Sequence, residues 1–485
     1  MRPKRAGRAH ILIALVWGAS PLQAQAGWSK AETEHFVVYG DTRVAALEVA
    51  TRMERQHLTL ARVYIHPPPA RPGVQVVVLA LSDRRDLSRY LPLDDDGRPI
   101  KNVAGLFLSR GDAPTVVVAV DGAMDVVEHE YVHYATEDPR IPMPAWLGEG
   151  LADYFGGAEL LAPDRVKLGL PEEHVLDVLR ARTWIPWGDL LAASRASDMY
   201  GDRDLQPLFY GQSWLLVHQA LTNPDPRRAQ MLADLARRLQ HGEPPTAAVR
   251  EAYGVTLEQL SEDLESYARA WTLNTVTVTL PDPVPALHPS VGPAPAPEVA
   301  AARGRVLALV GRAAEADAVL REAVAAWPDD PMVRESIGLV AFLASDWSKA
   351  REAFALAAQG GRSTPLVHVG LGYALAESND PAWWRDALKE WGLALDKDPH
   401  LVDVCLPAVQ LALRLVDAQA ADAWLQRGLE ITPEDPWLRL ELARSHLRRG
   451  RVDFARSVLE RLLASNPDLE ARLSAEELLG SLPAP

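Results

Sequence analysis

Residues 128–134 read Glu-His-Glu-Tyr-Val-His-Tyr. His129 and His133 stand four apart. On a helix both imidazoles project from one face about one turn apart and can share a metal ion. Glu130 follows the first histidine and leans toward the same ion, where its carboxylate can act as a base toward water. Two histidines leave such an ion short, because a catalytic zinc takes three protein ligands. Downstream the chain reads Pro144-Ala145-Trp146-Leu147-Gly148-Glu149-Gly150-Leu151-Ala152-Asp153-Tyr154-Phe155. Glu149 lies 16 residues after His133, at the start of a second helix. Asp153 comes one turn later on the same face, where it can hydrogen-bond a ligand histidine and fix its ring. His35, His57 and His174 have no partner at ligand spacing and are read as structural.

The elements that must position these groups follow from periodicity. Residues 35–39 form a short β-rich run, and 43–64 have a helical apolar stripe through Ala45, Val49, Met53, Leu58 and Leu60. Residues 74–81 (VQVVVLAL) predict a strand too apolar for an exposed edge. A short helix over 84–91 follows. Strands over 103–109 and 115–120 are joined through the turn signal Arg110-Gly111-Asp112. A helix over 125–135 then carries the histidines. A mixed sheet followed by helices makes this part α/β or α+β.

With the proline before it, the run W-L-x-E-G-L-A-x-Y-F resembles the bacterial peptidase-MA-like domains. The histidine pair with a later Glu, and an Asp four residues on, resembles the gluzincins, the thermolysin-like zinc peptidases. The resemblance implies an α+β zincin-like domain. In it His129, His133 and Glu149 bind Zn2+, Asp153 supports a ligand ring, and Glu130 is the general base for peptide hydrolysis. It also implies a donor to the developing oxyanion. Tyr210, 61 residues after Glu149 at the start of an apolar helix, is the candidate; Tyr200 and His218 compete. The strand over 103–109 would offer its edge to an extended peptide. The metzincin alternative fails, since its glycine and third histidine would fall at Thr136 and Pro139.

Seven prolines lie between Pro281 and Pro297. That density favours an extended spacer, so residues 281–298 are expected to be a linker and residues 27–280 to fold without the C-terminal part. Beyond the prolines a small/bulky/small series recurs. It begins at Ala316, Ala350, Ala387, Ala421 and Ala455, spaced 34, 37, 34 and 34. The extra residues are assigned to Gly360-Gly361-Arg362, displacing a proline to Pro365. The series resembles the tetratricopeptide repeat. It implies an all-α solenoid of about five repeats over residues 299–485, with Leu469–Leu482 as a capping helix and a protein partner as its ligand.

Composition excludes other classes. The 48% hydrophobic and 24% charged residues are globular proportions. A net charge of −15 argues against nucleic acid and anionic lipid as partners. The one cysteine, Cys405, excludes a Cys-rich metal site or an intramolecular disulfide. Arg2, Lys4, Arg5 and Arg8, the apolar run 11–16 and Ala24-Gln25-Ala26 read as a signal peptide over residues 1–26. The expectation is an exported protein of the bacterial cell envelope, periplasmic or extracellular, without stable membrane insertion after cleavage. Two functions are compatible with these features: a zinc metallopeptidase whose repeats recruit a partner or present a peptide or protein substrate, or a catalytically inactive zincin-like scaffold. Hydrolysis of a non-peptide amide or ester would use the same groups.

Overall fold

The computed structural model describes residues 27–483 apart from 65–73, 95, 102, 104, 109–113, 122–123, 137–142, 172, 195–196, 198, 200–201, 203, 271, 379 and 466–468. The signal-like segment 1–26, the Arg110-Gly111-Asp112 turn and Tyr200 lie outside the described residues. Among those described, no helix is long and apolar enough to cross a membrane.

From the N-terminal side, β1 (Ser29–Glu32) and β2 (Phe36–Gly40) form a hairpin. Helix α1 (Arg43–Val63), capped by the Thr42 side chain, crosses to β3 (Val76–Leu81), which pairs parallel with β2. After the short α2 (Arg84–Leu87) come β4 (Gly105–Leu108) and β5 (Thr115–Ala119), then α3 (Met124–Thr136) and α4 (Ala145–Gly156). A hairpin, β6 (Glu159–Ala162) and β7 (Arg165–Leu168), precedes six helices. These are α5 (Glu173–Ala181), α6 (Trp187–Ala192), α7 (Gln206–Leu221), α8 (Arg227–Gln240), α9 (Pro245–Tyr253) and α10 (Leu257–Ala268). Strands β8 (Val276–Thr279) and β9 (Ser290–Pro293) come next. The main sheet is mixed and six-stranded, in the order β4-β5-β3-β2-β1-β9, and β6-β7-β8 form a second sheet.

The central strands are apolar on both faces, as all six residues of β3 are buried. Phe36, Val38, Val76, Val78, Val116 and Val118 face α1 and α3. Val37, Tyr39, Val77, Leu79, Leu81 and Val117 face the other way, into a core shared with Val299, Ala302, Val306 and Leu320. Those four belong to the first repeat, α11 (Ala296–Leu309) and α12 (Ala313–Ala326). Helix α11 is rich in alanine, which lets it lie close against the sheet. Across this seam the Tyr39 hydroxyl donates to Glu298 Oε2 at 2.7 Å. Burial and the Glu298 charge hold the Tyr39 pKa above the ordinary phenol value.

The proline-rich stretch is therefore not a free spacer. Leu280 and Val284 are buried, and their N–H groups donate to Asp164 O and Pro163 O, both at 2.7 Å. Strand β9 pairs antiparallel with β1 as the edge of the main sheet. An edge strand tolerates proline because only one side of it needs donors. The stretch straps the small sheet to the large one and delivers α11 to the sheet face. Helix α11 shares the cover of that sheet face with Leu87, Tyr90 and Leu91 of the α2 region, so the repeats complete the core of the N-terminal part.

The repeats continue as α13 (Pro331–Leu343), α14 (Trp347–Gln359), α15 (Pro365–Ala376), α16 (Pro381–Lys397), α17 (Cys405–Arg414), α18 (Ala418–Ile431), α19 (Pro436–Arg448) and α20 (Val452–Ala464), with α21 (Leu469–Gly480) after the last pair. The small/bulky series is the buried seam: Ala316, Leu320, Ala350, Phe354, Ala387 and Trp391 are all within it. The 37-residue spacing arises elsewhere than expected. Gly338 lies against Phe354 and Gly372 against Trp391, so the extra residues fall between Gly372 and Trp391. Helix α16 has 17 residues where α14 has 13. The addition is one more turn at its start, with Trp383 stacked under Arg351, whose Cζ is 3.9 Å from the ring centre. Pro365 is the first residue of α15, as Pro331 is of α13, and is not displaced.

Removing residues 296–485 is expected to leave the N-terminal part unable to fold stably. Each large side chain uncovered on the sheet forfeits roughly 1.5–3 kcal/mol. A fragment 27–295 should be recovered as aggregate or as a species that binds a hydrophobic dye, while protease on the whole chain should spare 281–293. A monodisperse fragment with cooperative thermal unfolding would contradict this.

Candidate metal centre

Helix α3 turns Met124, Val127, Tyr131, Val132, Tyr134 and Ala135 into the core. That leaves His129, Glu130 and His133 half-buried on the face that meets α4. Helix α4 starts after Pro144 and buries Trp146, Ala152 and Phe155, and with them the carboxylate of Glu149, only 6% exposed. The structure thus brings together the three groups expected to share an ion. His129 Nε2 and His133 Nε2 are 3.2 Å apart. Glu149 Oε2 is 3.2 Å from His133 Nε2 and 3.3 Å from His129 Nε2.

This donor set fits zinc. Ligand bonds of about 2.0–2.1 Å in a tetrahedral site separate neighbouring donors by about 3.3 Å. Asp153 Oδ1 lies 2.6 Å from His129 Nδ1. It can accept a hydrogen bond from Nδ1–H, the tautomer that leaves the Nε2 lone pair for an ion. Burial alone would lower the His129 pKa, but the hydrogen bonds and charges of Asp153 and Glu149 outweigh it and hold it up at about 10. Burial alone would raise the Glu149 carboxyl, but hydrogen bonds from His129 and His133 and their charge bring it down to about 2. The pocket thus favours a positive charge between its carboxylates.

Tyr210 sits in the first part of α7, its ring centre 6.0 Å from that of His129. Burial, then the charges of Glu149 and Glu130, hold its hydroxyl above the usual phenol pKa, so it keeps its proton as a donor. Its competitor His218 is fully buried. One ring nitrogen meets Gly169 O at 3.0 Å and the other meets the Tyr267 hydroxyl at 3.0 Å, which commits it to the core. Strand β4 is an edge of the main sheet and packs beside α3.

Several residues of this region were not singled out from sequence. His35 and His57, read as structural, lie with ring centres 3.7 Å apart and tilted, His35 Nδ1 meeting Glu54 Oε1 at 2.8 Å and His57 Nδ1 meeting the Tyr131 hydroxyl at 2.7 Å. Glu34, His35 and Glu54 form a second group of possible donors, in which Glu54 already accepts from the ring and backbone N–H of His35. Arg52 and Gln56 of α1 reach α3 and α4. The available signal was Gln56, a polar residue inside the apolar stripe that runs from Val49 to Leu60. His174 lies exposed on α5.

Comparison with known proteins speaks to the repeats. Residues 417–479 match the tetratricopeptide repeat family model. Cellulose synthase operon protein C of Pseudomonas fluorescens (strain SBW25) is 38% identical over 88 residues, 15% of this chain and 7% of that protein. Its namesake from Xanthomonas axonopodis pv. citri (strain 306) is 43% identical over 63 residues, 13% of this chain and 4% of that protein. The chain therefore spans less than a tenth of these curated relatives. Among solved structures, a thermophilic TPR protein of Thermus thermophilus is 20% identical, covering 38% of this chain and 98% of that one, with a TM-score of 0.28. YrrB, a TPR protein with an unusual peptide-binding site, is 15% identical, covering 37% and 90%, with a TM-score of 0.33. The C-terminal part of this chain is a tetratricopeptide-repeat solenoid, an architecture that generally binds proteins; the N-terminal part is a mixed sheet with helices.

Two glycines of α4 test how tightly the centre is set. A Cβ on Gly150 would lie 2.5 Å from Ser213 O and 2.6 Å from Val217 Cγ2 of α7. The backbone oxygen cannot yield. Gly150→Ala should lose roughly 1–3 kcal/mol by overpacking, more than its gain in helix propensity. A Cβ on Gly148 would meet nothing nearer than 3.8 Å. Gly148→Ala should be neutral or gain up to about 1 kcal/mol. Urea unfolding of both variants checks the contrast, and equal effects would contradict the close α4–α7 crossing.

Proposed function

We propose that this chain is an exported zinc-dependent peptidase of the gluzincin type, built onto a repeat array that binds a protein partner. The convergence of His129, His133 and Glu149, with Asp153 behind His129, is the observation that carries the reading. His129, His133 and Glu149 would hold the ion. Zinc in such a site supplies an acidified water and polarises the scissile carbonyl.

The remaining chemistry belongs to the chain. Asp153 fixes the ring of His129 and its tautomer. Glu130, beside the ligands and half-buried, accepts the proton of the attacking water and returns it to the leaving amine. Tyr210, still protonated, donates a hydrogen bond to the carbonyl oxygen as charge develops there. The edge of β4 can align an extended substrate by backbone hydrogen bonds. The signal-like N-terminus supports export to the cell envelope, and the acidic net charge is why nucleic acid is not proposed as a partner.

A second reading keeps the partner-binding array and removes the chemistry, leaving a scaffold. The match of residues 417–479 to the repeat family favours it, because that match supports protein binding and nothing more.

Two substitutions separate the readings. Glu130→Gln preserves shape and leaves the ligands untouched. It should keep about one zinc per chain while turnover of an unstructured peptide falls at least ~10²-fold. His133→Ala should lose zinc and activity together. Metal content is read by atomic absorption and turnover by a quenched fluorescent peptide library. A metal-free wild type, or a Glu130→Gln variant as fast as wild type, would remove the enzyme reading and leave the scaffold.

A further inference from the structure

The zinc reading fixes which atoms must converge but not what holds the two ligand-bearing helices at the right separation. Helix α3 carries the histidines and α4 carries Glu149 and Asp153. They approach to backbone contact at one point: a Cβ on Gly156 would lie 3.3 Å from His129 Cα. Helix α1 crosses near that point and reaches both. Arg52 Nε donates to Glu128 Oε1 at 2.7 Å and Arg52 Nη2 to Glu128 Oε2 at 2.8 Å, a two-pronged grip on the residue before His129. The same Nη2 donates to Asp125 Oδ1 at 2.6 Å. One turn along α1, Gln56 Nε2 donates to Phe155 O at 3.0 Å. Phe155 is two residues past Asp153 and precedes Gly156.

Neither residue is the cheapest choice for stability. Gln56 is 5% exposed, in a stripe where a leucine or methionine would bury at no polar cost. Glu128 is 7% exposed, and drawing its carboxylate out of water offsets much of what the pair with the partly exposed Arg52 returns. What both supply is direction and distance. The guanidinium fork fixes α3 in rotation and height, and the amide fixes the end of α4. A shift of α4 by about 1 Å would open the donor triangle beyond a tetrahedral ion.

We infer that Arg52 and Gln56 of α1 are positioning residues for the metal centre, setting the register of α3 against α4 and hence the His129–His133–Glu149 separation. This rests on the zinc reading above.

The test uses the whole chain and zinc itself, by competition with a chromophoric chelator and by thermal unfolding with and without zinc. Gln56→Met should weaken zinc binding by roughly 10–100-fold, the range for groups that support ligands from behind, while the metal-free Tm holds or rises. Arg52→Met should weaken zinc similarly, and Arg52→Lys should restore part of it by keeping the charge without the fork. Leu60→Val, a fully buried control on the same helix, should lower Tm and leave zinc affinity unchanged. Should Arg52→Met not fold, Gln56→Met and Arg52→Lys carry the measurement. If the Gln56 and Arg52 variants bind zinc as wild type does, whatever their Tm, the inference is overturned and the zinc reading stands. If wild type binds no zinc, both fall.

Discussion

The central sheet must be covered on both faces, and the rest of the architecture follows from that requirement. Strand β3 buries every one of its residues, and β2 and β5 are likewise fully buried. Strands of this kind cannot leave one side in water. Helices α1 and α3 cover one face, and α3 brings the histidines with it. The other face is covered by the α2 region and by α11, the first helix of the repeats. The chain must therefore return from the helical region to the sheet before the repeats begin, and β8, β9 and the prolines around them make that return.

The candidate metal centre sits where a second constraint operates. Two carboxylates, Glu149 and Asp153, are drawn into a largely buried pocket against one imidazole. Buried negative charge needs a positive counterpart. A proton on His129, whose pKa those carboxylates raise, supplies it, and an ion held by the proposed donors would supply it more completely. Zinc and that proton thus compete for one place. Burial first, and then the charges of Glu149 and Glu130, raise the Tyr210 pKa, so the same partly buried pocket serves the proposed ligand set and the proposed hydrogen-bond donor.

Local signals were legible in the sequence and long-range ones were not. His129 and His133 follow from helical spacing alone, and α1, β3, β5 and α3 follow from apolar periodicity. Glu149 and Asp153 follow from the need for a third ligand and their spacing on the next helix, Tyr210 only from resemblance, and the folded chain brings all three beside the histidines. The proline-rich stretch misled because proline density reports only on local backbone preference. Pairing of β9 with β1, some 260 positions away in sequence, leaves no trace in it. Arg52 and Gln56 stayed hidden because their partners are on other helices. The insertion in the third repeat was placed wrongly because Gly360-Gly361-Arg362 looks like a loop, whereas the added residues continue a helix and present a tryptophan to Arg351.

The way the array joins the sheet also divides its work. Helices α11, α12 and α13 contribute Val299, Leu320 and Val333 to the same core as the sheet strands, so their surfaces on that side are spent on the fold. Buried residues of α15 pack mainly with those of α13 and α14, and from α16 onward two further clusters form, one around Trp391 and Leu425 and one around Leu440 and Leu459, with no sheet residue in any of the three. A solenoid is stabilised by nearest neighbours. The first pair therefore anchors the array rigidly to the element that carries α3 on its far face, while the later pairs are held only by one another. Residues 417–479, where the family match falls, lie in that later part. Among the described residues, then, α17–α21 take no part in covering the sheet.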